Sequence, residues 1–201
     1  MRLIFATGNP DKMREVREIL ADLPVEIVSM KEAGIEIDIV EDGTTFEENA
    51  LIKARAVNRA SGELTLADDS GLVVDAMGGM PGIYSSRFMG EDTSYEIKNA
   101  YIISQVDGLE GQERSARFVC AIAAVFPDGH EETATGTVAG IIADEPAGCG
   151  GFGYDPIFYV PELGCTTAEL SEDDKNAISH RGRGLRAIEP AIRAWMERPS
   201  E

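Results

Sequence analysis

The chain has 201 residues, with 36 acidic against 18 basic side chains, a formal net charge of −18 and 43% hydrophobic content. That apolar content supports a packed core and excludes a disordered polyanion. So acidic a chain is also not one that grips a nucleic-acid polymer through cations on phosphates, so any polyanionic ligand needs a local cation cluster or a metal. Cys120, Cys149 and Cys165 are too widely spaced for a disulfide framework or a zinc pattern, which suits a reducing compartment. No apolar run approaches the ~18 residues of a membrane span, and Arg2–Thr7 is too short for a secretory signal. The expectation is a soluble, cytoplasmic protein of one domain, 1–201, built as a single body or two closely packed lobes.

Leu3–Ala6 is a short apolar strand ending in Thr7-Gly8-Asn9-Pro10. Met13, Val16, Ile19, Leu20 and Leu23 then recur at helical spacing, with Asn9 as N-cap and Pro10 in the first helical position. Val25–Ser29 reads as a second strand, and Phe46–Ala60 as a helix closed by Gly62. Leu64–Ala67 is a short strand running into Asp68-Asp69-Ser70-Gly71, and Val73–Ala76 is again extended. Gly78–Gly82 is a turn-rich loop and Ser94–Val106 a helix. Ala116–Phe126 and Glu132–Ala143 are strands joined by a Pro127-Asp128-Gly129 hairpin turn. Ala147–Gly153 is a glycine-rich loop, and Leu185, Ile188, Ile192, Trp195 and Met196 mark a last helix that Pro190 is expected to bend. Strands alternating with helices around one hairpin predict an α/β fold with a mixed sheet.

Four segments could carry chemistry. Thr7-Gly8-Asn9-Pro10-Asp11-Lys12 sits at a strand-to-helix junction, where free N–H groups attract phosphate. Lys12 there opposes the helix dipole, as a lysine serving an anion would; the plain alternative is a capped turn with a solvated lysine. The segment is not a Walker A loop. In Asp68-Asp69, neighbouring carboxylates on an extended strand face opposite sides, and hard oxygens of this kind suit Mg²⁺; Glu41 is a second candidate ligand, and an exposed acidic turn is the alternative. Gly148-Cys149-Gly150-Gly151-Phe152-Gly153 spells G-x-G-x-x-G, but Pro156 follows too soon for the helix that a dinucleotide site requires. It reads instead as a loop presenting Phe152 for stacking on a base, worth ~1–3 kcal/mol, with burial of that ring in the core equally open. Lys175 to Arg183 holds the densest donors in the chain, including His180 and Arg181; a basic, solvated helix start is the alternative. His130 belongs to the hairpin surface. No nucleophile triad has supporting context.

Together these segments resemble the inosine/xanthosine triphosphate pyrophosphatase family over nearly the whole chain. The resemblance rests on Thr7-Gly8-Asn9-x-x-Lys12, Phe46-Glu47-Glu48-Asn49-Ala50 with Lys53-Ala54, Ala67-Asp68-Asp69-Ser70-Gly71-Leu72, Pro81-Gly82-Ile83-Tyr84-Ser85 with Arg87, Gly151-Phe152-Gly153-Tyr154-Asp155-Pro156, and Ser179-His180-Arg181-Gly182. It implies an α/β fold with an elongated two-lobed mixed β-sheet, flanking helices and a central cleft. It further implies a cytoplasmic homodimer and Mg²⁺-dependent hydrolysis of ITP, dITP and XTP to monophosphate and pyrophosphate. Carried onto this sequence, Asp69 resembles the general base and a metal ligand, with Glu41 assisting the metal. Thr7, Gly8, Asn9, Lys12 and Lys53 are similar to the triphosphate-holding residues and Ser70 to a substrate contact. Phe152, Gly153, Tyr154, Asp155, Lys175, His180 and Arg181 resemble the base pocket. Donors there would suit the 6-oxo group of hypoxanthine or xanthine and oppose the amino group of adenine, a mismatch that can reach ~10⁴-fold.

Three other readings compete: a Maf-like nucleotide pyrophosphatase, a catalytically silent nucleotide-binding module, and a carboxylate-pair glycosidase. The His180-Arg181 cluster and the Phe152 loop weigh against the first, and the presence of Asp69 and Lys12 against the second. The third needs an aromatic sugar groove, which 6% aromatic content supplies poorly.

Overall fold

A computed structural model of the chain describes residues 1–198. Seven strands and five α-helices form an α/β fold: β1 (Arg2–Phe5), α1 (Pro10–Ile19), β2 (Glu26–Ser29), α2 (Phe46–Ser61), β3 (Leu64–Val74), α3 (Tyr95–Gln105), β4 (Ser115–Val125), β5 (Glu131–Ile142), β6 (Phe158–Val160), β7 (Cys165–Thr166), α4 (Glu172–Ile178) and α5 (His180–Met196). The mixed sheet runs in the order β2-β1-β3-β4-β5-β6-β7. β1 pairs in parallel with β2 and with β3, while β6 is antiparallel to both β5 and β7. The chain divides into two compact units.

The first unit comprises residues 1–69, 120–136 and 180–198 of the described chain. Its strands are apolar at successive positions because both faces of the sheet are covered, as parallel βαβ connections require. Leu3, Phe5, Leu64, Leu66, Cys120, Ile122 and Ala124 pack with Met13 and Val16 of α1, with Leu20 at its C-cap and with Leu185, Ile188 and Ile192 of α5. The alternate residues Ile4, Ala6, Ala67, Ala121, Ala123 and Val125 pack with Ala50, Ala54 and Val57 of α2. The helix ends follow the sequence: Asn9 Oδ1 accepts the Asp11 and Lys12 N–H groups, Thr45 caps α2, and Gly62 closes α2 at φ 71°.

α5 begins five residues before its first apolar marker, at His180, and continues through Pro190 without a break. Its glycines explain the early start. A Cβ on Gly136 would overlap the His180 carbonyl and the Gly184 nitrogen, and a Cβ on Gly184 would press to 3.0 Å from Ile122. Helix and strand backbones therefore meet with no side chain between them, a gain that offsets the poor helix propensity of glycine.

The second unit comprises residues 70–119 and 137–179. Its core sets Ile102 of α3 and Val106 just after it against Leu72, Val74, Ala116, Phe118, Val138, Ile142, Phe158 and Val160. The hairpin turn at Pro127–Gly129 lies where its sequence predicts, with His130 exposed beside it. The strand expected to end at Ala67 runs on through Asp68–Gly71, which is the middle of the eleven-residue β3 and not a turn, while the glycine loop leads into a three-residue 3₁₀ turn, Asp155–Ile157, in keeping with the rejection of a dinucleotide-type helix. β6, β7 and α4 carry too little periodicity to be seen in the sequence; the first two are three and two residues long.

Candidate active site

The first unit assembles its charged groups through the period of β3. Leu64 and Leu66 face α1 and α5, so Asp68 does too; Ala67 faces α2, and so does Asp69. Both carboxylates are buried. Buried charges persist only when paired and hydrogen-bonded, and each of these finds cations on its own helix layer.

On the α2 side, Lys53 Nζ lies 2.7 Å from Glu41 Oε2 and 3.2 Å from Asp69 Oδ1. Asn49, one turn before Lys53 on α2, donates to Asp69 Oδ2 at 3.3 Å and accepts the Gly43 N–H at 2.9 Å. Gly43 has to lack a side chain, because a Cβ there would stand 2.7 Å from Asn49 Oδ1. One amide thus ties the Glu41 loop to the Asp69 carboxylate. The two charged partners respond unequally. Burial would pull the Lys53 ammonium down, but Asp69, Asp68 and Glu41 outweigh it and hold its pKa above the ordinary lysine value. Burial raises the Asp69 carboxyl, and Lys53 and Lys12 oppose this only in part. A carboxyl raised in this way is a better proton acceptor than an ordinary aspartate.

On the α1 and α5 side, Asp68 Oδ1 accepts Lys12 Nζ at 3.0 Å, and Asp68 Oδ2 accepts Arg181 Nη2 at 3.0 Å and Nε at 3.3 Å. Arg181 Nη1 also pairs with Glu15. The anion that answers Lys12 in this structure is therefore Asp68. Arg181, expected to offer its guanidinium to a base, is instead wholly buried between two carboxylates that hold its pKa above its already high value against the pull of burial. His180 is buried beside it at the start of α5 and is not a solvated surface group. In the turn before α1, Thr7 Oγ1 accepts the Asn9 N–H at 3.1 Å, while the backbone over Gly8 is open, with no atom within 4 Å of a Cβ built there.

The second unit holds Ser70, half-buried, and the Phe152 loop. Phe152 is half-buried rather than a core ring. Its N–H donates to Asp155 Oδ2 at 2.8 Å, and Lys175 Nζ lies 4.8 Å from its ring centroid while pairing with the same Asp155 oxygen at 2.7 Å. Thr167 Oγ1 donates to Asp155 Oδ1 at 2.8 Å. Asp155 is thus a buried hub that fixes the ring and the lysine together. Gly151 admits it: at φ 67° any Cβ would overlap the Asp155 carboxylate. Tyr154 turns the other way. Its hydroxyl donates to Ser85 O at 2.7 Å within the core, and burial holds the phenol protonated, so its side chain is a support for the loop.

The sequence assigned no role of their own to Asp68, Glu15 and Asn49, although Asp68 stood in the Asp68-Asp69 pair and Asn49 in one of the quoted motifs. Asn49 left a signal: with Lys53 it places two polar groups four residues apart on the stripe that otherwise reads Ala50, Ala54, Val57. Glu15, beside Val16 on the buried side of α1, left a similar one. The donor run from Lys175 to Arg181, continuous in sequence, is divided between the units at Ser179–His180. Among the described residues no three His, Cys, Asp or Glu side chains converge on a metal position. Asp69 and Glu41 nevertheless fit Mg²⁺, which binds through one or two carboxylates and keeps the rest of its shell for water and phosphate.

A family model, that of the Ham1 family, matches residues 3–191. The dITP/XTP pyrophosphatase of Thermus thermophilus is 48% identical over 188 residues, covering 94% of this chain and 90% of its own. That of Geobacter sulfurreducens is 49% identical over 184 residues and 92% of each chain. Among solved structures, the Ham1 protein of Staphylococcus aureus superposes with a TM-score of 0.86 at 38% identity, over 97% of this chain and all of the other.

Proposed function

The chain belongs to the Ham1 family, and from that premise we propose that it is a nucleoside triphosphate pyrophosphatase hydrolysing the α–β anhydride of non-standard purine triphosphates. ITP, dITP and XTP would yield the monophosphate and pyrophosphate. The observation that carries the proposal is the Asp69 carboxyl, buried, raised in pKa and clasped by Lys53 and Asn49. Triphosphate charge would be met by Lys12, Lys53 and the open N–H groups around Gly8. Asp69 and Glu41 would hold Mg²⁺, which when bound supplies charge neutralisation on phosphate oxygens and a polarised water. Asp69 would take the proton of the attacking water as pyrophosphate leaves. Phe152, steadied by Asp155 and Lys175, offers the base a stacking face.

Pyrophosphate release from ITP, XTP and ATP at equal concentration tests this. ITP and XTP should be cleaved with Mg²⁺ and not with EDTA, and ATP should be slower by about 10²–10⁴. Equal rates on ITP and ATP would overturn the base assignment, and activity surviving EDTA would overturn the metal.

The same proposal includes a homodimer. On the second unit the exposed Met80 and Tyr101 line, with Ala76, Met77, Phe88 and Gln105, a shallow cavity of about 250 Å³. Apolar side chains gathered this way favour a partner surface. Sedimentation velocity should give twice the chain mass, and Tyr101→Glu should shift it to the monomer. A monomeric wild type would remove this part of the proposal. Free Cys120, Cys149 and Cys165, with Cys149 exposed, suit a cytoplasmic setting, and no helix among the described residues is long and apolar enough to cross a membrane.

A further inference from the structure

We propose that Asn99 is a positioning residue for the base-stacking loop: its amide holds the Gly153 carbonyl and thereby sets where the neighbouring Phe152 ring stands. Asn99 lies on α3, outside every motif that pointed to the active site, and is 5% exposed. Its Nδ2 donates to Gly153 O at 3.1 Å, whereas its Oδ1 is buried with no partner. An amide that leaves its own acceptor unmet is a poor device for stability. What it does contribute is a fixed anchor for one carbonyl of a loop whose glycines at 151 and 153 both have positive φ, 67° and 70°. Such backbone does not hold itself in place.

The rest of the α3 start converges on the same loop. The Tyr95 ring stands edge-on to Tyr154 at 5.2 Å and lies 3.5 Å from where a Gly153 Cβ would be. Lys98, buried on the next turn, donates to Ser86 O at 2.8 Å, and Tyr154 ties the same stretch through Ser85 O at 2.7 Å. Asp155 and Lys175 fix Phe152 from the C-terminal side of the loop. Asn99 is the polar contact from α3 to the loop backbone itself. Ring position decides how well a base stacks, and a displacement of about 1 Å is enough to weaken an oriented contact.

The inference rests on the pyrophosphatase proposal for its substrate, so its test has one arm that does not. Asn99→Leu keeps the side-chain shape and removes both the donor and the unmet acceptor, and Asn99→Ser leaves a hydroxyl too short to reach Gly153. Amide hydrogen exchange over residues 151–155 should quicken about tenfold in both variants while exchange elsewhere is unchanged. KM for ITP should rise about tenfold with kcat within twofold of wild type, and inhibition by inorganic tripolyphosphate, which has no base to stack, should be unchanged. Asn99→His, whose ring Nδ1–H can stand in for the amide N–H, should recover part of the KM. Unchanged loop exchange, an unchanged KM in an active enzyme, or an equal loss of tripolyphosphate inhibition would each overturn the inference. Failure of both variants to fold would overturn it too, because Asn99 would then be a stability residue. A wild type inactive on ITP would sink the proposed activity alone, and the exchange experiment would still judge Asn99.

Discussion

Asp69→Asn is expected to lower kcat on ITP by about 10²–10⁴ while leaving the melting temperature at or near that of wild type. The asymmetry comes from the side chain's surroundings. Burial raises the folded-state pKa of Asp69 above its unfolded value, with Lys53 and Lys12 opposing it only in part. By linkage, a group with a raised folded pKa contributes stability below the unfolded value, near 3.9, and that contribution is lost as pH rises through the folded value. At neutral pH the ionised carboxylate is therefore a net cost to the fold, and a neutral amide of the same shape removes it. Against that gain, Asn cannot accept from Lys53 and Asn49 with two oxygens as Asp69 does, so the two effects should balance to within about 1 kcal/mol. The same sign governs activity. A base must be ionised to accept a proton, so kcat/KM in wild type should rise with pH along an acid limb, and the residual activity of the variant should lack that limb. The raised Lys53 pKa keeps its ammonium charged throughout this window. Turnover in Asp69→Asn equal to wild type, or an acid limb that persists, would move the base to another residue.

Arg181→Met is expected to have the largest effect on stability. The guanidinium is enclosed by Asp68 and Glu15, and its removal takes the Arg181 partner from two buried carboxylates, leaving Asp68 with Lys12. Breaking such a pair costs about 3–5 kcal/mol, which for a chain of this size corresponds to a fall in Tm of roughly 6–20 °C. Adding Glu15→Gln to Arg181→Met should return part of the loss, because the second charge is then gone, whereas Glu15→Gln alone should destabilise. A variant that melts with wild type at pH 7 would show that the Arg181–Asp68–Glu15 cluster carries no such energy. Lys12 also reaches Asp68, so the stability of this cluster and the placement of a proposed phosphate-holding lysine are linked through one carboxylate.

The local signals in the chain were legible because they depend on neighbours in sequence. Asn9-Pro10 starts a helix because an amide caps free N–H groups and proline needs none; Gly62 ends one because it alone accepts that left-handed turn readily. The alternation that sends Asp68 and Asp69 to opposite faces is likewise a property of any strand. Partner choice was not legible. Asp68 and Arg181 stand 113 positions apart and Arg181 and Glu15 166, and nothing in the spacing of either residue says that they meet.

The run from Lys175 to Arg181 illustrates the limit. As sequence it is one basic cluster, suited to a solvated face or to reading a base. Folding buries Lys175, His180 and Arg181, gives Lys175 to Asp155 and Arg181 to Asp68, and starts a helix at His180 where the glycines at 136 and 184 let backbones touch. Composition, period and capping thus determined the class of fold and the residue types available for chemistry, since these follow from backbone geometry and from transfer between water and core. Which charge neutralises which was decided only in three dimensions, because a buried ion takes whatever counter-ion the packing brings within about 3 Å, however distant it is along the chain.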